Sequence, residues 1–210
     1  GLVNPALTWV TTTQLNLGVD AGFFDNRLQG SFDWYIRKAN DFAYSGQALP
    51  AVLGTGVPLE NNAGIETRGF ELSIGWRDRI GSVNYSVRGI LSDYRGKITR
   101  YANNPNNDNG TFYVGRQQGE IWGYTTVGLF QSDDEVTKSP SQSKLSGAQW
   151  TPGDVRYADL NNDGSIDWGN NTLDKPGDRS VIGNNTPRYS YSFSGNLEWK
   201  NFDFMIFLQG

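Results

Sequence analysis

A short acidic segment carries the side chains in this chain that are best suited to chemistry. Residues 159–167 read DLNNDGSID and place oxygen-bearing side chains at alternate positions, namely Asp159, Asn161, Asp163, Ser165 and Asp167. Hard oxygen ligands with this spacing, and a glycine at the sixth position for a sharp turn, are typical of loops that wrap one Ca²⁺. The spacing therefore predicts a calcium site with a structural role, pinning a long loop.

The last ligand of such a loop is not in its usual place. The twelfth position is Asn170 rather than a bidentate Glu, so Asp174 or Asp178 would have to complete the site from a longer excursion of the chain. The alternative is an Asx-rich turn without metal, in which the same side chains hydrogen-bond to nearby backbone N–H groups. The residues alone leave both interpretations open.

Catalysis and nucleic-acid binding are disfavoured by composition. The 210 residues include neither cysteine nor histidine, so Ser-His-Asp and Cys-His arrangements are excluded and carboxylates would have to carry any acid–base chemistry. Acidic pairs such as Asp133 with Asp134, or Glu66 with Glu71, are present. The sequence determines neither the distance between their carboxyl groups nor the pKa difference that glycoside hydrolysis needs. The net charge of -4 and scattered basic residues argue against nucleic acid. We predict neither an enzyme nor a nucleic-acid-binding protein.

The elements that position the acidic segment are predicted to be β-strands. Apolar and polar residues alternate with period two in three pairs of runs, each joined by a short turn: residues 14–21 with 27–37, 70–76 with 83–91, and 188–199 with 202–208. A further strand or two is expected within residues 119–130. High aromatic content, at 13%, and 26 glycines also favour strands and turns. The prediction is an all-β chain of about eight antiparallel strands.

The connections between these strands alternate in length. Short turns alternate with long polar segments at residues 38–67, 92–118 and 131–187. Membrane-spanning β-barrels have this asymmetry, with long loops outside the cell, and runs of about 9–11 residues suit a tilted strand that crosses a bilayer. No apolar run approaches the ~20 residues of a membrane helix. A soluble secreted β-sandwich that binds carbohydrate is the alternative, because its strands also alternate.

Aromatic residues lie in or beside the predicted long loops. Aromatic rings in such places stack on sugar rings or peptide side chains, or pack within the loop itself. The candidates for ligand contact are Tyr113, Trp122, Trp150 and Trp168, and further loop aromatics are Tyr101, Phe112 and Tyr124.

Three ordered blocks of sequence resemble SusC/RagA-type TonB-dependent receptors. Residues 4–20 (NPALTWVTTTQLNLGVD) are similar to the family's N-P-x-L-x-W-E block, with Val10 in place of the usual Glu. Residues 152–167 (PGDVRYADLNNDGSID) are similar to its P-G-D block, which contains the acidic segment. Residues 181–189 (VIGNNTPRY) are similar to its I-G-x-x-x-P-[KR]-[YF] block, which leads into the closing hairpin.

The resemblance implies a fold, a location and partners. Residues 1–210 would be part of a transmembrane β-barrel in the outer membrane of a Gram-negative, Bacteroidetes-like bacterium, in contact with membrane lipid. Family receptors import glycans or peptides, work with a SusD-like surface lipoprotein, and contact TonB through an N-terminal part that these residues do not include. Family barrels have more strands and a plug domain, so we expect this chain to be a fragment.

Overall fold

The computed structural model describes residues 2–147 and 149–210, which fold almost entirely into antiparallel β-structure. The strands are β1 (Thr11–Phe23), β2 (Leu28–Ser45), β3 (Leu59–Ile80), β4 (Val83–Tyr101), β5 (Glu120–Tyr124), β6 (Thr126–Leu129), β7 (Val155–Tyr157), β8 (Arg179–Asn184), β9 (Ser190–Trp199) and β10 (Phe202–Gln209). A short helix α1 (Asp133–Lys138) and a 3-10 turn (Ala51–Leu53) complete the elements of the described residues. The all-β prediction is confirmed.

Six strands form one open main sheet in the order β1-β2-β3-β4-β9-β10. Each of the three predicted hairpins is present, and β9 returns to pair with β4 after the long excursion between them. The described residues contain ten strands rather than about eight. The additional strands, β7 and β8, have only three and six residues and lie within a polar connection, where alternation gives no usable signal.

The two faces of the main sheet differ in polarity because the register keeps apolar residues in common rows. One row joins Leu17, Trp34 and Phe70 across three strands. The side chains on this apolar face include Val19, which is 67% exposed, and Phe204, which is 64% exposed. Folding normally buries such residues, so this face has no second protein layer against it among the described residues. A sandwich of two packed sheets is therefore not the fold.

Aromatic side chains gather at the short-turn end of the apolar face. Trp76 lies edge-on to Phe24 at 6.1 Å between ring centroids, and its indole N–H donates to the Tyr85 hydroxyl at 3.2 Å. Trp199 stacks on Phe202 at 6.4 Å. The tryptophan and tyrosine rings among them have one apolar side and one polar edge, the type of residue that forms the girdle of a membrane barrel.

Short turns close the hairpins at this same end. Three successive residues of the first turn, Phe24, Asp25 and Asn26, have positive φ angles of 55°, 55° and 61°. The second turn has Gly81 at φ 59°, where the absence of a β-carbon makes the left-handed conformation free of strain. All long connections therefore leave the opposite end of the main sheet.

The predicted loop bounds are wrong at two connections. β2 continues to Ser45 and β3 begins at Leu59, so the first long connection is residues 46–58 rather than 38–67. β4 continues to Tyr101, so the second begins at residue 102 rather than 92. Strands of 18, 22 and 19 residues also exceed the predicted 9–11. The ladder continues where the alternation of apolar and polar residues stops, since backbone hydrogen bonds do not require an apolar face.

The main sheet has no buried core of its own, and the fully buried side chains lie mostly in residues 102–187, here called the loop layer. Phe130 is 2% exposed, and Ile166 and Asp178 are completely buried. Residues 131–187 are thus a folded unit that contains α1, β7 and β8 rather than a plain loop. In the part of the chain that the structure describes, no helix is long and apolar enough to cross a membrane.

Candidate functional site: the loop layer and the polar face

The loop layer is held together by short strands and by polar side chains. β5 pairs with β8 and β6 pairs with β7, which ties residues near 120 to residues near 180. Asn109 is buried at 1% exposure, and its side-chain oxygen accepts a hydrogen bond from the Arg179 guanidinium at 2.9 Å. Arg179 also donates to the side chain of Asn171. Buried polar groups with partners give this layer a defined conformation.

Asp178 fastens both ends of the acidic segment. Its two carboxylate oxygens accept from the backbone N–H groups of Leu160 and Asp167, each at 2.8 Å. The Asp178 N–H donates in return to the Asp167 carbonyl oxygen at 2.9 Å. A fully buried carboxylate is stable only when hydrogen-bonded in this way. Asp178, which the sequence offered as a last calcium ligand, is thus engaged by the backbone.

The acidic segment forms a compact turn around its own amide groups. Asp159 accepts from the N–H groups of Asp163 at 3.2 Å and Gly164 at 2.8 Å, and Asp163 accepts from Ser165 N–H at 2.8 Å. Asn161 accepts from the Asp163 N–H at 3.0 Å. Gly164 has a φ of 83°, which gives the sharp turn that its position predicted.

The acidic segment also contains side chains of the type that binds calcium. Asp159, Asn161 and Asp163 supply oxygen atoms of the kind that Ca²⁺ prefers. Asp167, however, is paired with Lys144 at 2.7 Å, and this contact together with the Gly169 N–H lowers the pKa of the Asp167 carboxyl. Among the described residues, His, Cys, Asp and Glu form no group of three or more that could hold a metal ion. Calcium binding stays a prediction.

Tyr113 and Trp122 are part of an internal hydrogen-bond network. Both donate to the Glu120 carboxylate, the indole N–H of Trp122 at 2.8 Å. Tyr113 is 7% exposed, and this burial, followed by the hydrogen bond to Glu120, raises the pKa of its phenol to about 12. Arg116 holds the same turn by donating to the backbone carbonyls of Asn109, Thr111 and Glu120. Tyr113 and Trp122 therefore pack the loop layer, whatever further role they have.

The other two candidate aromatics differ in accessibility. Trp150 is partly buried, whereas Trp168 is 50% exposed beside the acidic segment and is open to a ligand. A second group of rings, which sequence reasoning did not assemble, consists of Tyr44, Tyr101 and Phe112, packed edge to face at centroid distances of 5.6–6.4 Å. Tyr44 and Phe112 are each 41% exposed. Ligand contact by any of these rings stays a prediction.

The polar face of the main sheet forms a second candidate surface. Its side chains include Asp33, directly opposite Glu71 in the ladder, and Arg88, whose guanidinium donates to the Ser73 hydroxyl at 2.9 Å. A groove of about 700 Å³ follows this face near the short-turn end. A continuous polar face opposite an exposed apolar face is the arrangement of a barrel wall that separates lipid from an aqueous lumen.

Several residues that organise the loop layer were missed by sequence reasoning. Asn109, Arg116, Glu120 and Arg179 act over separations of up to 70 residues, as with Asn109 and Arg179. Only the hydrogen-bonding capacity of their side chains was visible in the sequence. No local periodicity connects them.

Comparisons with known proteins agree with a barrel wall. Residues 1–202 match the family model described as TonB dependent receptor-like, beta-barrel. TonB-dependent receptor P3 of Formosa agariphila is 29% identical over 222 residues, which cover 98% of this chain and 21% of that protein. TonB-dependent receptor SusC of Bacteroides thetaiotaomicron is 24% identical, covering 98% of this chain and 20% of that protein.

Solved structures show the same fold. The chain is similar to the RagAB peptide transporter, with a TM-score of 0.67, 20% sequence identity, and coverage of 98% of this chain and 21% of that one. For the RagAB peptide importer in its open-open state the TM-score is 0.68 at 19% identity, with coverage of 97% and 20%. The chain spans about a fifth of the length of these relatives.

The fold and its two unlike faces define the wall of a membrane β-barrel. Because the family model covers nearly all of it, the chain belongs to the TonB-dependent receptor β-barrel family, and the resemblance to SusC/RagA-type receptors is confirmed. TonB-dependent receptors are outer-membrane proteins of Gram-negative bacteria.

Proposed function

We propose that this chain forms part of the wall and the extracellular loops of an outer-membrane importer driven by TonB. The observation that carries the proposal is the pairing of an exposed apolar face with a polar face on one six-stranded sheet, in a chain matched almost throughout by the TonB-dependent receptor barrel. The apolar face would meet membrane lipid and the polar face the lumen through which substrate passes. Long connections at one end of the sheet give the wall its orientation.

The proposed cargo is a glycan or a peptide, captured together with a SusD-like surface lipoprotein. The peptide alternative is supported by the fold shared with the RagAB peptide transporter, and a glycan by the half-exposed rings of Trp168, Tyr44 and Phe112. Aromatic faces stack on sugar rings and on apolar peptide side chains alike. TonB would engage the receptor outside these residues, and the source would be a Bacteroidetes-like bacterium, as for the curated relatives.

Uptake in a strain that lacks the parent receptor tests the proposal. We expect the deletion strain to lose growth on one class of oligosaccharide or peptide as sole nutrient, and the reintroduced gene to restore it. Restoration should fail when TonB is absent. Growth of the deletion strain on every glycan and peptide mixture that supports the wild type would contradict the proposal.

The loop aromatics give a sharper version of the same test. Trp168→Ala removes a ring that is 50% exposed, whereas Trp122→Ala removes a ring that packs the loop layer and donates to Glu120. If the loop layer contacts cargo, Trp168→Ala should weaken uptake at low substrate concentration while leaving the amount of folded receptor unchanged. Equal uptake by Trp168→Ala and wild type at all substrate concentrations would show that Trp168 does not contact the cargo.

A further inference from the structure

The apolar face of the main sheet ends in a belt of charge on the side nearest the loop layer. One row above Trp34 and Phe70, on the same face, the ladder places Arg68 directly opposite Arg95. The next row joins Lys38, Glu66 and Lys97. Asp93 and Arg188 lie at the edge of this group and pair with each other. We call the whole set the cationic belt, which consists of Lys38, Glu66, Arg68, Asp93, Arg95, Lys97 and Arg188.

Positive charge is in excess in the cationic belt. It contains five cations and two carboxylates, which leaves three positive charges uncompensated. Glu66 is shared between Arg68, at 2.7 Å, and Lys38, at 3.4 Å. Asp93 is fully engaged by the Arg188 guanidinium through two contacts of 2.7 and 2.6 Å. Arg95 and Lys97 are exposed and form no ion pair with any described residue.

The juxtaposition of Arg68 and Arg95 points to an anion. Like charges directly opposite each other in a β-ladder repel, and Glu66 compensates Arg68 but forms no ion pair with Arg95. An anion beside Arg95 and Lys97 would make this arrangement favourable. A groove of about 790 Å³ lies at this position, bordered by Arg68, Arg95 and Lys97 and reaching down to Trp34 and Phe70. The carboxylates of Glu66 and Asp93 also line it, and they are held by Arg68 and Arg188 respectively. Gly115, on the far side of the groove, is fixed by its N–H bond to the Ile98 carbonyl at 2.8 Å.

The position of the cationic belt along the strands indicates which kind of anion it would meet. The apolar run on β2 extends from Leu28 to Ile36, which is about 27 Å along the strand at ~3.4 Å per residue and shorter along the membrane normal because strands tilt. The belt begins where this run ends, at the long-connection end. A side chain there projects away from the lumen, at the level of the lipid headgroups of the outer leaflet.

We propose that Arg68, Arg95 and Lys97 bind the phosphate of a phosphorylated lipid headgroup in the outer leaflet, with its acyl chains lying against Trp34 and Phe70. The groove combines cationic groups above with apolar surface below, which matches the two parts of such a lipid. Guanidinium groups suit phosphate because their fork of donors fits its oxygens. The inference rests on the membrane orientation of the proposed function.

The test uses the full-length receptor that contains this chain, purified in non-ionic detergent and titrated with diphosphoryl lipid A. Bound lipid is counted by native mass spectrometry. We expect the wild type to retain lipid A, and the triple variant Arg68→Gln/Arg95→Gln/Lys97→Gln to bind it at least tenfold more weakly. Arg37→Gln is the matched control, because Arg37 lies at the same height on the opposite face, and it should bind like the wild type.

Several other results of this titration would overturn the proposal that the cationic belt binds a lipid phosphate. Lipid A binding by the triple variant at wild-type strength, or no binding by the wild type, would overturn it. Equal competition by inorganic phosphate would show a site for a free anion and also overturn it. If the triple variant does not fold, Arg95→Gln alone removes an unpaired charge and should weaken binding about fivefold. A wild-type receptor without heat-modifiable gel mobility would instead contradict the proposed function.

Discussion

Asp167 donates its backbone N–H to the Asp178 carboxylate at 2.8 Å and accepts the Asp178 N–H on its own carbonyl at 2.9 Å. Together with the bond from Leu160 N–H, this reciprocal contact closes the acidic segment. Asp178→Asn removes one acceptor and leaves a buried N–H without a partner, at a cost of about 2 kcal/mol or more in local stability. Hydrogen exchange of the amides in residues 160–167 should accelerate accordingly.

Asp174→Asn is the matched control for that substitution. Asp174 is exposed and its carboxylate accepts local hydrogen bonds, the main one from the Thr172 hydroxyl at 2.6 Å, so the change should alter exchange by less than about 0.5 kcal/mol. Equal protection of residues 160–167 in both variants would show that Asp178 does not fasten the segment.

Tyr113 should make the loop layer sensitive to high pH. Its pKa is raised from 10.0 to about 12, so the folded form favours the neutral phenol. The stabilising contribution is therefore complete below pH 10 and is lost as the pH rises toward 12. Burial also raises the pKa of Tyr124, so tyrosinate absorbance during an alkaline titration should show more than one phenol that titrates late, and the Tyr113 phenol should be missing in Tyr113→Phe. Identical titration curves for the two proteins would contradict this prediction.

Two glycines on the polar face should differ in their tolerance of alanine. A β-carbon at Gly69 would lie 2.6 Å from the ring of Tyr35 and 2.9 Å from the Asp93 carbonyl oxygen, and the backbone atom cannot move aside cheaply. At comparably short range, a β-carbon at Gly18 would contact only the end of the Asp33 side chain. That side chain is able to rotate away. Gly69→Ala should lower the unfolding temperature of the full-length barrel more than Gly18→Ala. The reverse order would contradict the placement of Tyr35 over Gly69.

Calcium binding is testable from the geometry of the acidic segment. If Asp159, Asn161 and Asp163 hold Ca²⁺, as their spacing predicts, adding Ca²⁺ should slow proteolysis between residues 159 and 170. The effect should disappear in Asp163→Asn and persist in Asp25→Asn, because Asp25 is exposed in the first short turn, at the opposite end of the main sheet. Protection that is unchanged by Ca²⁺ or by a chelator would favour the turn closed by its own hydrogen bonds alone.

The alternation of apolar and polar residues predicted the main sheet well, because the strands of this sheet have one apolar face. The pairing of Leu17 with Trp34 and of Trp76 with Val87 follows from keeping apolar residues in common rows. Strand ends were predicted poorly. Beyond Ile36 and Phe70 the strict alternation of apolar and polar residues stops, while the hydrogen-bonded ladder continues to Ser45 and Leu59.

The loop layer was less accessible to sequence reasoning, since its order comes from contacts between distant residues. Position within the acidic segment predicted the turn at Gly164, but the closing role of Asp178 depends on a contact across 18 residues with Leu160. The cationic belt was also not predictable from the sequence alone. Arg68 and Arg95 become neighbours only through the register of β3 with β4.

The central claim, that one face of the main sheet meets lipid and the other a polar lumen, is tested most directly by two neighbouring substitutions. Phe32 lies on the apolar face, opposite Val19 and Leu72, whereas Ser31 lies on the polar face opposite Asp20. Folding of the full-length receptor into lipid vesicles, followed by heat-modifiable gel mobility, should show that Phe32→Arg destabilises the barrel by about 2–4 kcal/mol and Ser31→Arg by ~1 kcal/mol or less. Equal loss from both substitutions, or a greater loss from Ser31→Arg, would contradict the account.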